Sequence, residues 1–336
     1  MAFSERLIAD WYHPRLTALT AMLWPASLVF RAAVAVRRSL YRSHVLRTSA
    51  VRLPVVVVGS IVVGGSGKTP LVRSLARSLA DAGCHPGLVA RGYGGSNVAP
   101  SCVRPGDDVS VVGDESLLLA ADGFPVWIGR DRVAAARALV AAHPECDVVL
   151  ADDGLQHYAL RRDFEIAVID DARGLGNGCL LPAGPLREPA ARLTRVDSIV
   201  RLVAEDGASA SEGQSVMRYE PLPWRNLARP DSPPDPLAWR SGEVHAVAGI
   251  GDPARFFALL QRLGFDAVCH AFPDHHRYRG EELEFPGASA ILMTEKDAVK
   301  CTAFADARFW YLPIRARIDP ALVARVARTI RGRQTA

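Results

Sequence analysis

The run Gly64-Gly65-Ser66-Gly67-Lys68-Thr69 holds the residue types that bind phosphate. Backbone N–H groups of a glycine-rich turn converge on phosphate oxygens, Lys68 can neutralise the β/γ-phosphates, and the Thr69 hydroxyl can ligate Mg²⁺. The pattern departs from G-x-x-x-x-G-K-[ST] at its first position, where Val62 stands. Gly64, Gly65 and Gly67 still permit close backbone approach. Only three of the 40 basic residues are lysine, namely Lys68, Lys296 and Lys300. A chain that otherwise uses arginine has kept a compact ammonium in the phosphate loop. The other two lysines share the segment Thr294-Glu-Lys296-Asp297-Ala-Val-Lys300, which is therefore singled out as well.

Asp152 and Asp153 end the apolar run Val148-Val149-Leu150, where P-loop enzymes place the carboxylate that organises Mg²⁺, and Gln156 and His157 add polar groups beyond them. Asp114 precedes the apolar run Leu117 to Ala121 and supports two readings. It can cap a helix, or it can serve as a general base or a carboxylate near the metal. His275 and His276 lie in Phe272-Pro-Asp-His-His-Arg-Tyr278, where a histidine could orient an aspartate base across a cleft.

These groups need a scaffold, and the hydrophobic pattern supplies one. Val55 to Val58 reads as a β-branched strand, the loop follows, and Leu71, Val72, Leu75, Ala76 and Leu79 form one helical face with Arg73, Ser74, Arg77 and Ser78 opposite. Strands at 86–90, 126–128, 148–150 and 166–169, with a helix over 131–142, continue a βα rhythm. In such parallel sheets function collects at the carboxyl ends of strands. Segments 198–203 and 215–219 flank Asp206 to Gly213 and read as a polar hairpin; Pro221 to Pro236 reads as a junction. A second α/β unit follows, with strand Val244 to Ala248, a Gly249-Ile-Gly251 turn and a helix from Arg255 to Leu263. The expected division is a membrane-associating segment over 1–50, a P-loop domain over 51–203, a hairpin and linker over 204–236, and a C-terminal α/β domain over 237–330.

A chain of 336 residues accommodates two domains. A net charge of +4 argues against a general nucleic-acid binder, and six widely spaced cysteines without a C-x-x-C pair read as free thiols in a reducing compartment. Between Trp11 and Ala80 there is no acidic residue. Leu16 to Phe30 is apolar, interrupted by Pro25, and followed by six arginines up to Arg52. At 15 residues it is short for a bilayer span and lacks a signal-peptide cleavage site, so an interfacial helix on the cytoplasmic side is expected. Arginines near an anionic surface contribute ~1 kcal/mol each.

The ordered set Gly64 to Pro70, Arg91-Gly-Tyr-Gly-Gly95, Val112-Gly-Asp-Glu115, Asp152-Asp-Gly-Leu-Gln-His157, Gly176-Asn-Gly178, Leu180 to Pro189, Ala248 to Gly251, Phe272 to His276 and Thr294 to Asp297 resembles the tetraacyldisaccharide 4′-kinases, the lipid A 4′-kinases of Gram-negative bacteria. The resemblance spans about Pro54 to Lys300. It implies a P-loop kinase-like parallel sheet flanked by helices, with a second smaller α/β domain and an N-terminal membrane-associating helix. It implies an inner-membrane kinase that transfers the ATP γ-phosphate, with Mg²⁺, to the 4′-hydroxyl of an acylated glucosamine disaccharide 1-phosphate, with no nucleic acid and no obligatory protein partner. Carried onto this sequence, it assigns Lys68 and Thr69 to phosphate and Mg²⁺, and Asp152 and Asp153 to the metal network. It makes Asp114 the catalytic base, assisted by His275, and Glu115 and Glu188 candidates for metal contact or positioning. Arg91, Gln156, His157 and Arg187 become substrate-positioning candidates. Ser116 departs from the proline expected after Glu115. The alternative is a soluble P-loop NTPase regulating a protein partner, with Thr294 to Asp297 reading guanine.

Overall fold

The computed structural model describes residues 3–204, 214–239 and 242–334. Strands β1 (Val55–Gly59), β2 (Pro86–Ala90), β3 (Ser101–Val103), β4 (Val126–Ile128), β5 (Val148–Ala151), β6 (Phe164–Asp170), β7 (Ser198–Leu202) and β8 (Gln214–Pro221) belong to one sheet. A second sheet holds β9 (Arg225–Asn226), β10 (Glu243–Ala248), β11 (Val268–Ala271), β12 (Ala288–Thr294) and β13 (Phe309–Leu312), in the order β11-β10-β12-β13-β9. The chain then returns to the first sheet as β14 (Ile314–Ile318), so that its order is β14-β8-β7-β6-β1-β5-β2-β4-β3.

Both sheets are parallel except at their edges, where β3, β14 and β9 run antiparallel to their neighbours. The Val-rich β1 and β5 are buried along their whole length, as expected for strands covered on both faces.

The helices are α1 (Phe3–Trp11), α2 (Ala18–Arg42), α3 (Lys68–Asp81), α4 (Val109–Val112), α5 (Asp114–Ala120), α6 (Arg132–Ala142), α7 (Pro236–Trp239), α8 (Pro253–Arg262), α9 (Glu295–Ala298) and α10 (Pro320–Gln334). Leu71, Val72, Leu75 and Leu79 of α3 are fully buried against the sheet. Each contributes roughly 1.5–3 kcal/mol by burial, which fixes the helix that follows the phosphate loop.

Four expectations are corrected. Arg73 and Ser74 are buried, not solvated: Ser74 Oγ accepts from Ala316 N at 3.2 Å, and Arg73 pairs with Asp122 and Glu295. Here α3 is covered by β14 and by the second unit, which no local period reports. Strands β7 and β8 are parallel, with Ile199 opposite Gln214, so they are no hairpin; the expected turn over 206–213 lies outside the described residues.

The second unit does not run to 330. Ala316, Leu322, Val326, Ala327 and Ile330 pack into the core of the first sheet, because β14 finds its partner in β8. Finally, α2 continues through Pro25 and Arg31 for 25 residues, long and apolar enough by length and composition to cross a membrane. Charge at Arg31 had marked its end in the sequence, but helical hydrogen bonding continues regardless of the charge on an exposed side chain.

Candidate active site

The phosphate loop joins β1 to α3. Gly67 has φ +85° at the cap of α3, and a Cβ there would lie 2.7 Å from Tyr219 Oη and 2.9 Å from Met217 Cε. Glycine is required on both counts. Val62, the departure from the usual pattern, is buried and bridges antiparallel to Leu186, so the missing first glycine has become a packing residue. Lys68 Nζ lies 3.4 Å from Gly64 O, 3.5 Å from Ser66 Oγ and 3.8 Å from Asp153 Oδ1. Gly65 faces the second unit, its backbone N only 3.1 Å from where a Cβ on Gly251 would stand.

Thr69 Oγ1 donates to Asp152 Oδ2 at 2.8 Å. The other oxygen, Asp152 Oδ1, is buried and has no hydrogen-bond partner among the described residues. Burial, followed by the charge of Glu115, pushes the Asp152 carboxyl up to about 7. A cation would offset that desolvation and occupy the unpartnered oxygen, so Thr69 and Asp152 fit Mg²⁺. Asp153 has φ +48° and receives Arg187 Nη1 at 2.9 Å on both oxygens. Burial would raise its pKa, but Lys68 and Arg187 outweigh burial and hold it below the usual carboxylate range.

Opposite stands Asp114, 3% exposed, the first residue of α5. The cap position itself is Gly113 (φ +82°), whose Cβ would strike Tyr93 O at 2.2 Å. Gly113 thus holds the cap position, while the Asp114 carboxylate does meet one N–H of the first turn, its Oδ1 accepting from Glu115 N at 2.8 Å. His275, from the loop after β11, has φ +62° and brings Nδ1 to 3.0 Å from both Asp114 oxygens. Its ring lies 4.9 Å from that of Tyr93. Burial would raise the Asp114 pKa, but the His275 bond and the Lys296 charge outweigh it, and the carboxyl is lowered. His276 turns away to Glu282 at 3.2 Å, so that of the histidine doublet His275 is the one that meets Asp114. A cavity of about 100 Å³ opens beside Asp114 and His275, with Arg277, Tyr278 and Lys300 in its wall.

The remaining candidates divide into two groups. Glu188 is fully engaged: it accepts from Gln156 Nε2 at 3.0 Å and from the Tyr158 hydroxyl, with Arg38 of α2 at 3.7 Å. Gln156 Oε1 in turn meets Arg187 at 3.4 Å. A continuous polar chain therefore links α2 to Asp153, and Glu188 is held within it. Glu115 is paired with Lys296 at 3.3 Å.

Arg91 is exposed, and its charge reaches Arg132, which sequence reasoning missed. Arg132 is buried, its Nη1 donates to Gly129 O at 2.7 Å, and its Nε has no partner among the described residues; burial first and then Arg91 draw its pKa down to about 10. His157 Nε2 is likewise buried and unpartnered among the described residues, and burial, then Arg132, lower its pKa to about 4. An arginine in the first turn of an ordinary amphipathic helix carries no sequence signal, so Arg132 could not have been singled out.

Asp297 is fully buried and takes Thr294 Oγ1 (2.6 Å), Gly249 N (3.1 Å), Tyr278 Oη (3.0 Å) and Lys300 Nζ (2.7 Å). A carboxylate spent on its own chain cannot read a guanine edge.

A family model described as LpxK, tetraacyldisaccharide-1-P 4′-kinase, matches residues 19–331. The chain belongs to this family. It is 50% identical over 310 residues to the tetraacyldisaccharide 4′-kinase of Azoarcus sp. (strain BH72), covering 91% of this chain and 90% of that one. It is 49% identical over 325 residues to that of Alkalilimnicola ehrlichii, covering 95% and 93%. The crystal structure of LpxK from Aquifex aeolicus in complex with ATP superposes with a TM-score of 0.77 at 27% identity, covering 93% of this chain and 99% of that one. As a tetraacyldisaccharide 4′-kinase the chain is an ATP-dependent lipid A kinase, and the soluble regulatory NTPase is not favoured.

Proposed function

We propose that Asp114 is the base that prepares the 4′-hydroxyl of the tetraacyldisaccharide 1-phosphate for the ATP γ-phosphate, with His275 holding it in place. The observation that carries this reading is the meeting of two half-sites at the carboxyl ends of the two sheets. The phosphate loop with Lys68, Thr69–Asp152 and Asp114 come from the first unit, and His275, which reaches Asp114, comes from the second. Phosphoryl transfer depends on charge neutralisation and in-line placement. Lys68 neutralises the transferring phosphate, and the backbone from Gly64 to Gly67 cradles it. Thr69 and Asp152 would hold Mg²⁺, which would supply positive charge against the negative charge of the phosphate. The hydroxyl proton passes to Asp114, the acceptor oxygen bonds to γ-phosphorus, and the β–γ bridging oxygen leaves with ADP.

The acceptor also carries a 1-phosphate. Arg91, exposed beside the buried Arg132, is the cation placed to meet an anion there. Arg187, Gln156 and Glu188 act as positioning residues behind Asp153. The exposed Met22, Leu28 and Val29 of α2, with Arg31 and Arg37, support docking on the cytoplasmic face of the inner membrane.

The test is turnover of MgATP with tetraacyldisaccharide 1-phosphate, read by product mass and by the position of the new phosphate. Asp114→Asn lowers kcat on the order of 10²–10⁴-fold with the KM for ATP unchanged. Near-normal kcat in that variant overturns the assignment.

A further inference from the structure

Lys296 stands where no phosphate-loop argument requires a lysine, yet it is one of three in the chain. Its backbone is anchored by the buried Asp297, and its neighbour Glu295 grips Arg73 of α3 at 2.7 Å and 3.0 Å. Lys296 Nζ thereby reaches Asp274 Oδ1 at 3.0 Å, Glu115 Oε1 at 3.3 Å and His275 Nε2 at 3.3 Å, with Asp114 Oδ2 at 3.9 Å. An ammonium has three donors and no lone pair. Three acceptors surround this one, so in the contact with His275 the ring nitrogen must be the acceptor.

We propose that Lys296 is a positioning residue that sets the tautomer of His275, leaving Nε2 bare and placing the ring proton on Nδ1, toward Asp114. That proton is what lets His275 hold both Asp114 oxygens at 3.0 Å. With its Nε2 lone pair engaged by Lys296, the imidazole does not compete for the acceptor's proton, which goes to Asp114. The other groups facing the ring are consistent with this arrangement: Asp274 Oδ2 is 3.7 Å from Nε2, beyond hydrogen-bond reach, and Tyr93 offers only its ring. The Glu295 contact with Arg73 and the Lys296 contact with Glu115 join the second unit to the first beside this pair.

The inference rests on the dyad reading above, but its test does not depend on turnover. Histidine-selective ¹⁵N labelling of the full-length protein, with His275→Gln to assign the resonance, reports which ring nitrogen carries the proton. The wild-type protein should have a protonated Nδ1 and a bare Nε2 at His275. A proton on Nε2 in the wild type overturns the proposal whatever the variants do. Lys296→Met should move the proton to Nε2 or protonate both nitrogens, and lower kcat on the order of 10–100-fold, as loss of an outer partner that orients a functional ring does. Lys296→Arg, which also lacks a lone pair, should retain the wild-type tautomer and recover part of kcat. An unchanged tautomer in folded Lys296→Met refutes the role of Lys296. Near-normal kcat in Asp114→Asn would instead refute the dyad reading and leave the tautomer result standing.

Discussion

Asp297→Asn tests how firmly the second unit is built around one carboxylate. Each Asp297 oxygen accepts two donors: Tyr278 Oη and Lys300 Nζ on Oδ1, Thr294 Oγ1 and Gly249 N on Oδ2. Asparagine keeps the shape, but its NH₂ must face one of those donor pairs, and the Lys300 ammonium loses its buried counter-charge. Breaking a buried pair in this way costs about 3–5 kcal/mol, because the surviving charge is stranded. Trp224, Trp239 and Trp310 lie in the core of this unit, so urea unfolding followed by tryptophan fluorescence reports it directly. Adding Lys300→Met removes the stranded charge and returns roughly 1–3 kcal/mol, the coupling expected of residues in contact. Since Asp297 also anchors Lys296, kcat falls in the single variant under conditions where it remains folded. A single variant that unfolds within about 1 kcal/mol of the wild type refutes the reasoning, and so does a double variant no more stable than the single.

Two further outcomes can be checked. The His157 pKa is lowered from 6.5 to about 4 in the fold, so the unfolded chain binds more protons between these values and stability rises with pH across that window. The contribution is complete above pH 6.5 and is lost as pH falls toward 4, up to about 3 kcal/mol; His157→Gln should flatten the slope between urea midpoints measured at pH 7.5 and 5.0. Met22 and Val29 are each 72% exposed on α2, so Met22→Glu with Val29→Glu should weaken partition into anionic vesicles by roughly 100-fold while leaving turnover of a short-chain acceptor intact; unchanged partition removes α2 from membrane docking.

The phosphate loop and the carboxylates at a strand end were legible because each is a local event. A β-branched run, a glycine loop and a lysine at the start of a helix are adjacent in the chain, and the structure keeps β1, the loop and α3 in that order. The same holds for Asp152 at the end of β5, and for β2 and β4, whose bounds match the expected segments. What failed was non-local. The return of β14 and α10 to the first sheet and the burial of Arg73 depend on partners far along the chain; β7 and β8 are close in sequence, but β8 is also the partner of the distant β14.

The sequence by itself determined the family, the phosphate chemistry and the short list of carboxylates, since these rest on residue types at fixed spacing. Only the tertiary structure decided their division of labour. It separated His275 from His276, committed Glu188 to Gln156 and Tyr158, removed Asp297 from ligand reading, and carried Lys296 to a site 181 positions from its partner Glu115. The physical reason is that a charged group's role is set by which charges and lone pairs lie within about 4 Å of it, where Coulomb and hydrogen-bond energies are strong. For His275 and Lys296 those neighbours include Asp114 and Glu115 of the first unit, whereas Glu188 and Asp297 find theirs within their own units.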